Sequence, residues 1–389
     1  MLYMLLARGL AIAAVAVCCA FAGDLAGQTP TPRTFAQRAP ITLEGGAQWG
    51  VVAAHRSEIW RVVTGHAWGG HLYAGAFRTG GWTSGLRRPW AWQGLGLDAT
   101  YGGSPELGWQ VSGIWLNRLP LNDHWNSEWG LGLGYTSRPY DPVHAPSSFL
   151  LGSPFNAAIR LGLHRSWPFG PGGAWHTTLA VHHLSNGSTR QPNLGTNTVA
   201  LHLGWSPASP NPPTALPPTP ASPPASPRFS THWALRVGYR DMDLPGGVKY
   251  ALTGLSIETA MGLPPLGSSS RLFARLLPAA GFTLTYNQSL RYYHESSLIH
   301  FPDAPDLTGS TPLRRLQPAA LIGFHWNLGA TRVSILQGWV LAHPDPILGR
   351  RHLHAAISHA FNAHHRIELG LRSYQVRAEH PFLGWVYTL

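Results

Sequence analysis

The sequence predicts an all-β fold, an antiparallel transmembrane outer-membrane β-barrel of roughly 14 to 16 strands. Three observations predict it. The chain of 389 residues is only 12% charged yet carries 17 Trp and 44 Gly. Apolar and polar residues alternate with period two in many segments. No apolar run after the N-terminal segment is long enough for a membrane-spanning helix, and a closed barrel is the other structure that satisfies its backbone hydrogen bonds within lipid.

The N-terminal segment, residues 1–22, has the features of a secretory signal peptide. It carries a single charge, at Arg8, followed by an apolar run over residues 10–20 and a small-residue end. Because such segments are removed after export, we expect cleavage after residue 22. Both cysteines, Cys18 and Cys19, lie inside this segment, which excludes thiol chemistry and disulfides from the mature chain.

The formal net charge of +11 indicates an anionic partner. A basic protein at an anionic membrane surface gains about 1 kcal/mol for each Lys or Arg near that surface. Nucleic acid is the other common partner of a basic chain. The arginines are scattered singly through apolar strands and are not clustered with stacking aromatics, so we expect the lipid bilayer and no nucleic acid as the partner.

Strand by strand, the alternation separates an apolar row from a row of glycine and charge. It is clear over residues 93–101, 130–135, 157–165 and 233–240. In a membrane barrel the apolar row faces lipid and the polar row fills the interior. Trp and Tyr near strand ends suit interfacial girdles, and the last strand alternates apolar residues at Leu383, Trp385, Tyr387 and Leu389. A soluble secreted β-sandwich, which would bury the apolar row, is the alternative.

A segment dense in Pro, Ser and Ala, residues 206–228, divides the mature chain. It cannot pack a core and is predicted to be a linker or a long turn. The first part, residues 23–205, holds about eight candidate strands, and the second, residues 229–389, holds six to nine. One barrel containing all of them is the preferred arrangement, and two smaller barrels are the alternative, since eight strands already close a barrel. Candidate strands lie near Gly46, Gly70, Gln93, Gly108, Glu128, Ala157, Trp175 and Asn197, and then near Thr231, Tyr250, Leu272, Thr283, Leu316, Arg332, Leu353, Arg366 and Phe382.

The segment 175–197 carries the strongest candidate for chemistry. Continuing its outward row by twos from Trp175 reaches His183 and then Ser185, so both polar side chains are predicted to face the bilayer. The following strand begins with Asn197 on its own outward row, which places Asn197 near His183. A serine with a histidine on the same face has the two groups that nucleophilic ester cleavage requires.

Further residues complete this hypothetical site. The side-chain oxygen of Asn197 is a candidate for orienting the imidazole. Backbone N–H groups just after Ser185, at Asn186 and Gly187, and the side chain of Asn193 are candidate donors to a developing oxyanion. The alternative interpretation is that these are polar residues at a strand end, where any barrel meets water.

The motif around Ser185 resembles a known family. His183, Ser185 and Asn186 form an HxSN pattern followed by PNLGTN over residues 192–197, which is similar to the lipid A 3-O-deacylase (PagL) or acyloxyacyl hydrolase family. Segments GLGLGYTSRPYD, LGSPFNAAI and the C-terminal ELGLRSYQVRAEHPFLGWVY also resemble its longer members. The residues 23–205 would then form the PagL-like part of the barrel.

The resemblance implies an outer-membrane hydrolase of a Gram-negative bacterium that cleaves the ester-linked acyl chain at the 3 position of lipid A. It assigns the nucleophile to Ser185, the base to His183 and an oxyanion contact to Asn193. The position of the acidic third residue falls on Asn197 here. Replacing a triad acid lowers the rate by about ten-thousandfold in one well-studied case, but Cys-His-Asn triads show that an asparagine can serve. We therefore expect weak to moderate activity. Arg190 at the rim is a candidate for the lipid A phosphates. The alternative is a porin-like or structural barrel with a decayed site.

No cofactor and no metal are predicted. His182 faces the lumen by parity, and His176 and His164 lie on neighbouring lumen rows. Hydrogen-bonded or solvated histidines are the favoured interpretation, because no carboxylate or cysteine stands at ligand spacing along the chain.

Overall fold

The computed structural model describes most of the chain in twelve ranges. These are residues 40–54, 57–79, 90–122, 124–169, 172–207, 229–242, 249–262, 276–290, 312–328, 330–345, 349–374 and 377–389. The predicted signal peptide and nearly all of the predicted connector lie outside them. In the part of the chain so described, no helix is long and apolar enough to cross a membrane, a finding that bears on helices alone.

The first eight strands form a closed antiparallel barrel. Each strand pairs with the next, and β8 returns to pair with β1 from Gly45–Trp205 to Val52–Thr198. A one-turn helix, α1 (Ser57–Trp60), lies between β1 and β2. The strands are β1 Thr42–Val52, β2 Ala67–Thr79, β3 Trp90–Tyr101, β4 Trp109–Pro120, β5 Trp125–Thr136, β6 Phe155–Pro168, β7 Ala174–Ser185 and β8 Thr196–Ser206.

The remaining eight strands form a second closed antiparallel barrel. Its closing pair joins β9 to β16, from Gly238–Phe382 to His232–Thr388. A short 3₁₀ helix (Pro312–Arg315) precedes β12. The strands are β9 Phe229–Asp241, β10 Lys249–Met261, β11 Leu276–Asn287, β12 Leu316–Leu328, β13 Thr331–Val340, β14 Arg351–Ala360, β15 His365–Tyr374 and β16 Arg377–Thr388.

The predicted all-β antiparallel barrel class is confirmed, but the preferred single barrel is wrong. Two barrels of eight strands form instead, which is the alternative arrangement. The alternation fixes which face of a strand meets lipid and carries no information about which strand closes the ring. The candidate strand positions coincide with the strands found, except Leu272, which lies outside the described residues.

The outward rows of both barrels are apolar, as predicted. In β3, Leu95 is 66% exposed while Asp98 on the opposite face is buried. In β9, Leu235 and Val237 are exposed while Arg236 is buried. An apolar row on the outside of a closed sheet fits a lipid environment and excludes the soluble sandwich, which would bury that row.

The lumen of the first barrel is filled by a network of ion pairs. Arg118 contacts Glu44 at 2.5 Å and Glu128 at 2.7 Å, and Arg160 contacts the other oxygen of Glu128 at 2.6 Å. Eight strands leave an interior just wide enough for side chains. The paired charges satisfy one another across strands far apart in sequence and so cross-link the barrel wall from inside.

One end of the first barrel carries a small apolar core built from the connections between strands. Ile59 of α1, Leu107 of the β3–β4 connection, Leu150 and Leu151 of the β5–β6 connection and Leu184 near the end of β7 are all buried together. The connections at this end include the long segments 137–154 and 186–195, and the strand end that carries Ser185 lies here.

Candidate active site on the first barrel

Ser185 and His183 lie on the outward row of β7. Along this strand Leu179 and Val181 are exposed whereas Thr178 is buried, and His183 and Ser185 continue the exposed row with partial exposure. Two residues along a strand separate their Cα atoms by about 6.7 Å, with both side chains on the same face. The geometry thus puts both side chains outward, in agreement with the parity argument from the sequence.

Asn197 contacts the imidazole of His183. The two residues are register partners in the β7–β8 pair, and the Nδ1 atom of His183 lies 2.7 Å from the Oδ1 atom of Asn197. An amide oxygen only accepts hydrogen bonds, so Nδ1 carries the hydrogen in this contact. In the neutral ring the other nitrogen, Nε2, is then free of hydrogen and is able to accept a proton.

The amide of Asn193 lies against the hydroxyl of Ser185. Its Nδ2 donates to Ser185 Oγ at 3.0 Å, and its Oδ1 lies 3.2 Å from the same Oγ. The same Oδ1 accepts the backbone N–H of Asn186 at 3.1 Å. Two of the predicted oxyanion donors, the Asn193 amide and the Asn186 backbone, therefore surround the nucleophile candidate.

Asn186 and Gly187 shape the turn that follows Ser185. The side chain of Asn186 points away from Ser185, since its Nδ2 donates to the backbone oxygen of Arg190 at 2.7 Å. Gly187 has a φ of +64°, a left-handed conformation that glycine adopts without the penalty a Cβ brings. These two residues therefore form the turn after Ser185. Asn186 contacts the Asn193 amide through its backbone N–H and not through its side chain.

The loop that carries Asn193 is held by the β5–β6 connection. The backbone N–H groups of Leu194 and Gly195 donate to Leu150 O at 2.9 and 3.1 Å, and Gly152 N donates to Pro192 O at 2.6 Å. The sequence of this region predicted only a family resemblance, and its supporting role is found in the structure alone. Its signal is the apolar pair Leu150 and Leu151 in a connection otherwise rich in polar and turn residues.

Gly195 makes room for the imidazole. Its φ is +71°, and a Cβ built there would lie 3.1 Å from Cε1 of His183. Both the backbone conformation and the close approach favour glycine at this position. The ring of His183 is therefore packed between this turn and its Asn197 partner.

Asp141 begins a tight turn in the same β5–β6 connection. Its Oδ1 accepts the backbone N–H groups of Val143 and His144, both at 2.8 Å. These two hydrogen bonds lower the pKa of the Asp141 carboxyl, because they favour its charged form. The turn is accordingly stabilised by a carboxylate that stays ionised at neutral pH.

The lumen histidines group differently from the sequence-based expectation. His182 lies with His202 and Asp98, whose candidate ligand atoms are all within 4.8 Å of one another, while His164 and His176 stack on each other elsewhere. A carboxylate is thus present, contributed by β3. The position between the three groups is held by Arg160, whose Nη1 is 2.7 Å from His182 Nε2 and 3.3 Å from Asp98 Oδ1. This cation takes the place in which a metal would sit.

Comparison with known proteins supports the resemblance. Residues 64–206, which cover most of the first barrel, match the family model described as lipid A 3-O-deacylase (PagL). The resemblance inferred from the HxSN motif is confirmed over that segment. A search of curated proteins finds no match to the chain.

Several solved structures are similar to the chain over 90% of its length. CdiB from Acinetobacter baumannii is 8% identical, with 59% of that protein covered and a TM-score of 0.19. The TodX monoaromatic hydrocarbon channel mutant is 10% identical, with 88% covered and a TM-score of 0.16. A mutant porin of Rh. blastica is 9% identical, with 100% covered and a TM-score of 0.16. The chain thus spans 59% of the length of CdiB.

Proposed function

We propose that this chain, whose residues 64–206 match the lipid A 3-O-deacylase (PagL) family model, is an outer-membrane esterase that hydrolyses the 3-O-linked acyl chain of lipid A. In this proposal Ser185 is the nucleophile and His183 the base. The observation that supports it is the outward row of β7, on which the Ser185 hydroxyl and the Asn197-bound imidazole share the lipid-facing side of the strand. A lipid substrate meets them there without leaving the bilayer.

The proposed reaction proceeds through an acyl-enzyme. Ser185 Oγ attacks the carbonyl carbon of the ester while His183 Nε2 takes the hydroxyl proton. The C–O bond to the sugar breaks, and His183 returns the proton to the departing sugar oxygen. Water then attacks the acyl-serine, again losing a proton to His183, and the 3-hydroxy fatty acid leaves with Ser185 restored.

Asn193 and the backbone N–H of Asn186 are the proposed oxyanion donors. In the free protein the two groups hydrogen-bond through Asn193 Oδ1, while Asn193 Nδ2 already reaches Ser185 Oγ. A substrate oxygen arriving beside Ser185 would accept from Nδ2 and from the Asn186 N–H in place of these contacts. Donors of this kind stabilise the charge that develops in the tetrahedral intermediate.

The surroundings of Ser185 suit a lipid chain and a polar head at once. On β6 its register partner is Ala157, and that of His183 is Ile159, so apolar residues of the outward row flank the site on the bilayer side. The long connections at this end match the extracellular loops of outer-membrane barrels, whose periplasmic turns are short. Exposed Arg190, in the loop after Ser185, is the proposed contact for a lipid A phosphate.

The first prediction tests the nucleophile and the base. Ser185→Ala and His183→Ala should each abolish the release of 3-hydroxy fatty acid from purified lipid A, because each removes a group that the attack requires. Mass spectrometry of lipid A from a host with otherwise unmodified lipid A should show the loss of one 3-hydroxyacyl group only with the unsubstituted chain.

Thr177→Ala is the matched control, since Thr177 lies on the same outward row at the other end of β7. It should keep full activity. Unchanged release of fatty acid by either the Ser185 or the His183 variant would remove the assignment.

A further inference from the structure

The arginines in the lumen of the second barrel fall into two classes. Three of them contact carboxylates directly: Arg236 with Glu368 at 2.7 Å and Glu258 at 2.8 Å, Arg240 with Glu379 at 2.9 Å and Asp345 at 2.8 Å, and Arg372 with Glu379 at 2.8 Å. In the first barrel Arg118 and Arg160 are likewise paired. Arg332 and Arg366 differ: within the described part of the chain, neither lies within 4.0 Å of a carboxylate.

Arg332 and Arg366 point into the same part of the lumen. Arg332 lies on the inward row of β13 and Arg366 on that of β15, with β14 between them. Ser358 of β14 connects the two, because it is the register partner of Arg332 and its Oγ accepts from Arg366 Nε at 3.2 Å. Arg332 is only 7% exposed.

The contacts these two arginines make are to neutral groups. Arg332 Nε donates to Asn327 Oδ1 at 2.8 Å, and Arg366 Nη2 donates to the backbone oxygen of Ala330 at 2.6 Å. Neutral acceptors satisfy hydrogen bonds but carry no negative charge, so the positive charge is compensated only in part, by carboxylates beyond contact distance.

The neighbouring carboxylates are already engaged. Glu368 and Glu258 both contact Arg236, and the second oxygen of Glu258 lies 3.4 Å from His325 Nε2. Arg332 and Arg366 therefore take no part in these ion pairs. Both lie close to the end of the barrel at which β9 begins and β16 ends.

An arginine cannot relieve an uncompensated charge by losing its proton, unlike lysine or histidine. One buried guanidinium, of Arg332, and one half-buried guanidinium, of Arg366, without a carboxylate in contact therefore favour an anion from outside. The planar guanidinium donates in parallel to two oxygens of a phosphate or carboxylate, which makes an oxyanion the matching ligand.

We propose that Arg332 and Arg366 bind a small oxyanion, of the phosphate class, inside the mouth of the second barrel. Ser358 adds a hydroxyl beside the two guanidinium groups. Because both arginines lie on inward rows, the ligand enters from the aqueous mouth of the barrel as a free solute. A phosphate attached to a lipid is disfavoured, since its acyl chains cannot pass through the barrel wall. This site is independent of the proposed esterase, so Ser185→Ala should leave it intact.

Titration with inorganic phosphate tests the proposal. The full chain, folded in detergent in phosphate-free buffer of low ionic strength, is titrated by calorimetry. Arg332→Gln and Arg366→Gln should each weaken phosphate binding at least tenfold. Arg351→Gln is the control, since Arg351 is exposed on the outward row of β14, and it should leave binding unchanged. No binding by the unsubstituted chain, or equal binding by the Arg332 and Arg366 variants, overturns the proposal.

Thermal unfolding without phosphate gives a second test with opposite signs. Arg332→Gln and Arg366→Gln should raise Tm, because each removes a charge that is only partly compensated, whereas Arg236→Gln should lower Tm by removing the arginine partner of Glu368 and Glu258. A fall in Tm for all three variants contradicts the proposal.

A competition experiment distinguishes a free phosphate from a lipid phosphate. Dihexanoyl phosphatidate, a phosphate on a lipid, should compete more weakly than inorganic phosphate for the site. Stronger competition by the lipid overturns the proposal that the ligand is a free solute.

Discussion

Asn197 is the residue on which the rate of the proposed reaction depends. Its oxygen holds the Nδ1–H of His183 at 2.7 Å and so fixes the tautomer that the base needs. An amide carries no charge, so it does little for the imidazolium that forms when His183 takes the proton of Ser185. The position therefore retains the orienting part of a triad acid and lacks its electrostatic part.

Replacing this amide with a carboxylate should raise activity. Asn197→Glu restores a negative charge next to the imidazolium, and kcat for deacylation should rise by tenfold or more, with about 10⁴-fold as the upper bound. Asn197→Ala should lower kcat because the ring loses its orienting partner. A carboxylate variant no faster than the unsubstituted chain would show that the amide already suffices or that the ring is not the base.

Asn193 offers a test of the oxyanion contact. Asn193→Ala removes the Nδ2 donor that lies 3.0 Å from Ser185 Oγ, and kcat should fall by about 10²- to 10³-fold with little change in KM. Steady-state kinetics on a soluble ester of a 3-hydroxy fatty acid would separate the two constants. A rise in KM at constant kcat would instead assign Asn193 to substrate binding.

Much of the site was predictable at the level of single residues. Strand parity alone puts His183 and Ser185 outward, and the shared end of two strands puts Asn197 beside His183. The apolar pair Leu150 and Leu151 signals a buried connection, but its contact with the loop of Asn193 was not predictable, because that contact depends on how one long connection folds back over another. The meeting of His182 with Asp98 was equally hidden, since their strands are far apart in sequence and meet only across the lumen.

At the scale of the strand, the apolar outward row should set stability in a bilayer. Leu255 is in the middle of β10 on the outward row and Met261 is the last residue of the same strand on the same row. Leu255→Arg should lower the free energy of unfolding by about 2–4 kcal/mol, and Met261→Arg by about 0–1 kcal/mol, because the cost of a charge falls from the bilayer centre to its surface.

Denaturant titration in phospholipid vesicles measures both values on a matched background. Equal costs at the two positions would contradict a membrane-spanning β10.

The same alternation that predicts these costs could not predict how the strands join, because every strand of either barrel has one lipid face and one lumen face regardless of its partners.

For the whole molecule, the filled lumen argues against a channel. In the first barrel Arg118 and Arg160 form ion pairs with Glu128 across the interior, and in the second barrel Arg236 pairs with Glu258 and Glu368. The chain should therefore show no stepwise porin-like conductance in planar bilayers at neutral pH, with a trimeric porin as the positive control. Regular conductance steps from the purified chain would favour a porin-like channel over the proposed esterase.

The number of barrels lay beyond sequence reasoning. The Pro-rich segment marks a division, but a long turn inside one ring and a linker between two rings have the same composition. What decides is the hydrogen bonding of β8 to β1 and of β9 to β16, which pairs residues more than 140 positions apart in each ring.

The pairing of β9 with β16 makes closure of the second barrel depend on β16 alone. All strands of the first barrel end by Ser206, so they do not depend on it. A chain truncated before residue 377 would therefore keep the strands of one complete barrel, while β9 and β15 would become two open sheet edges, a known route to aggregation.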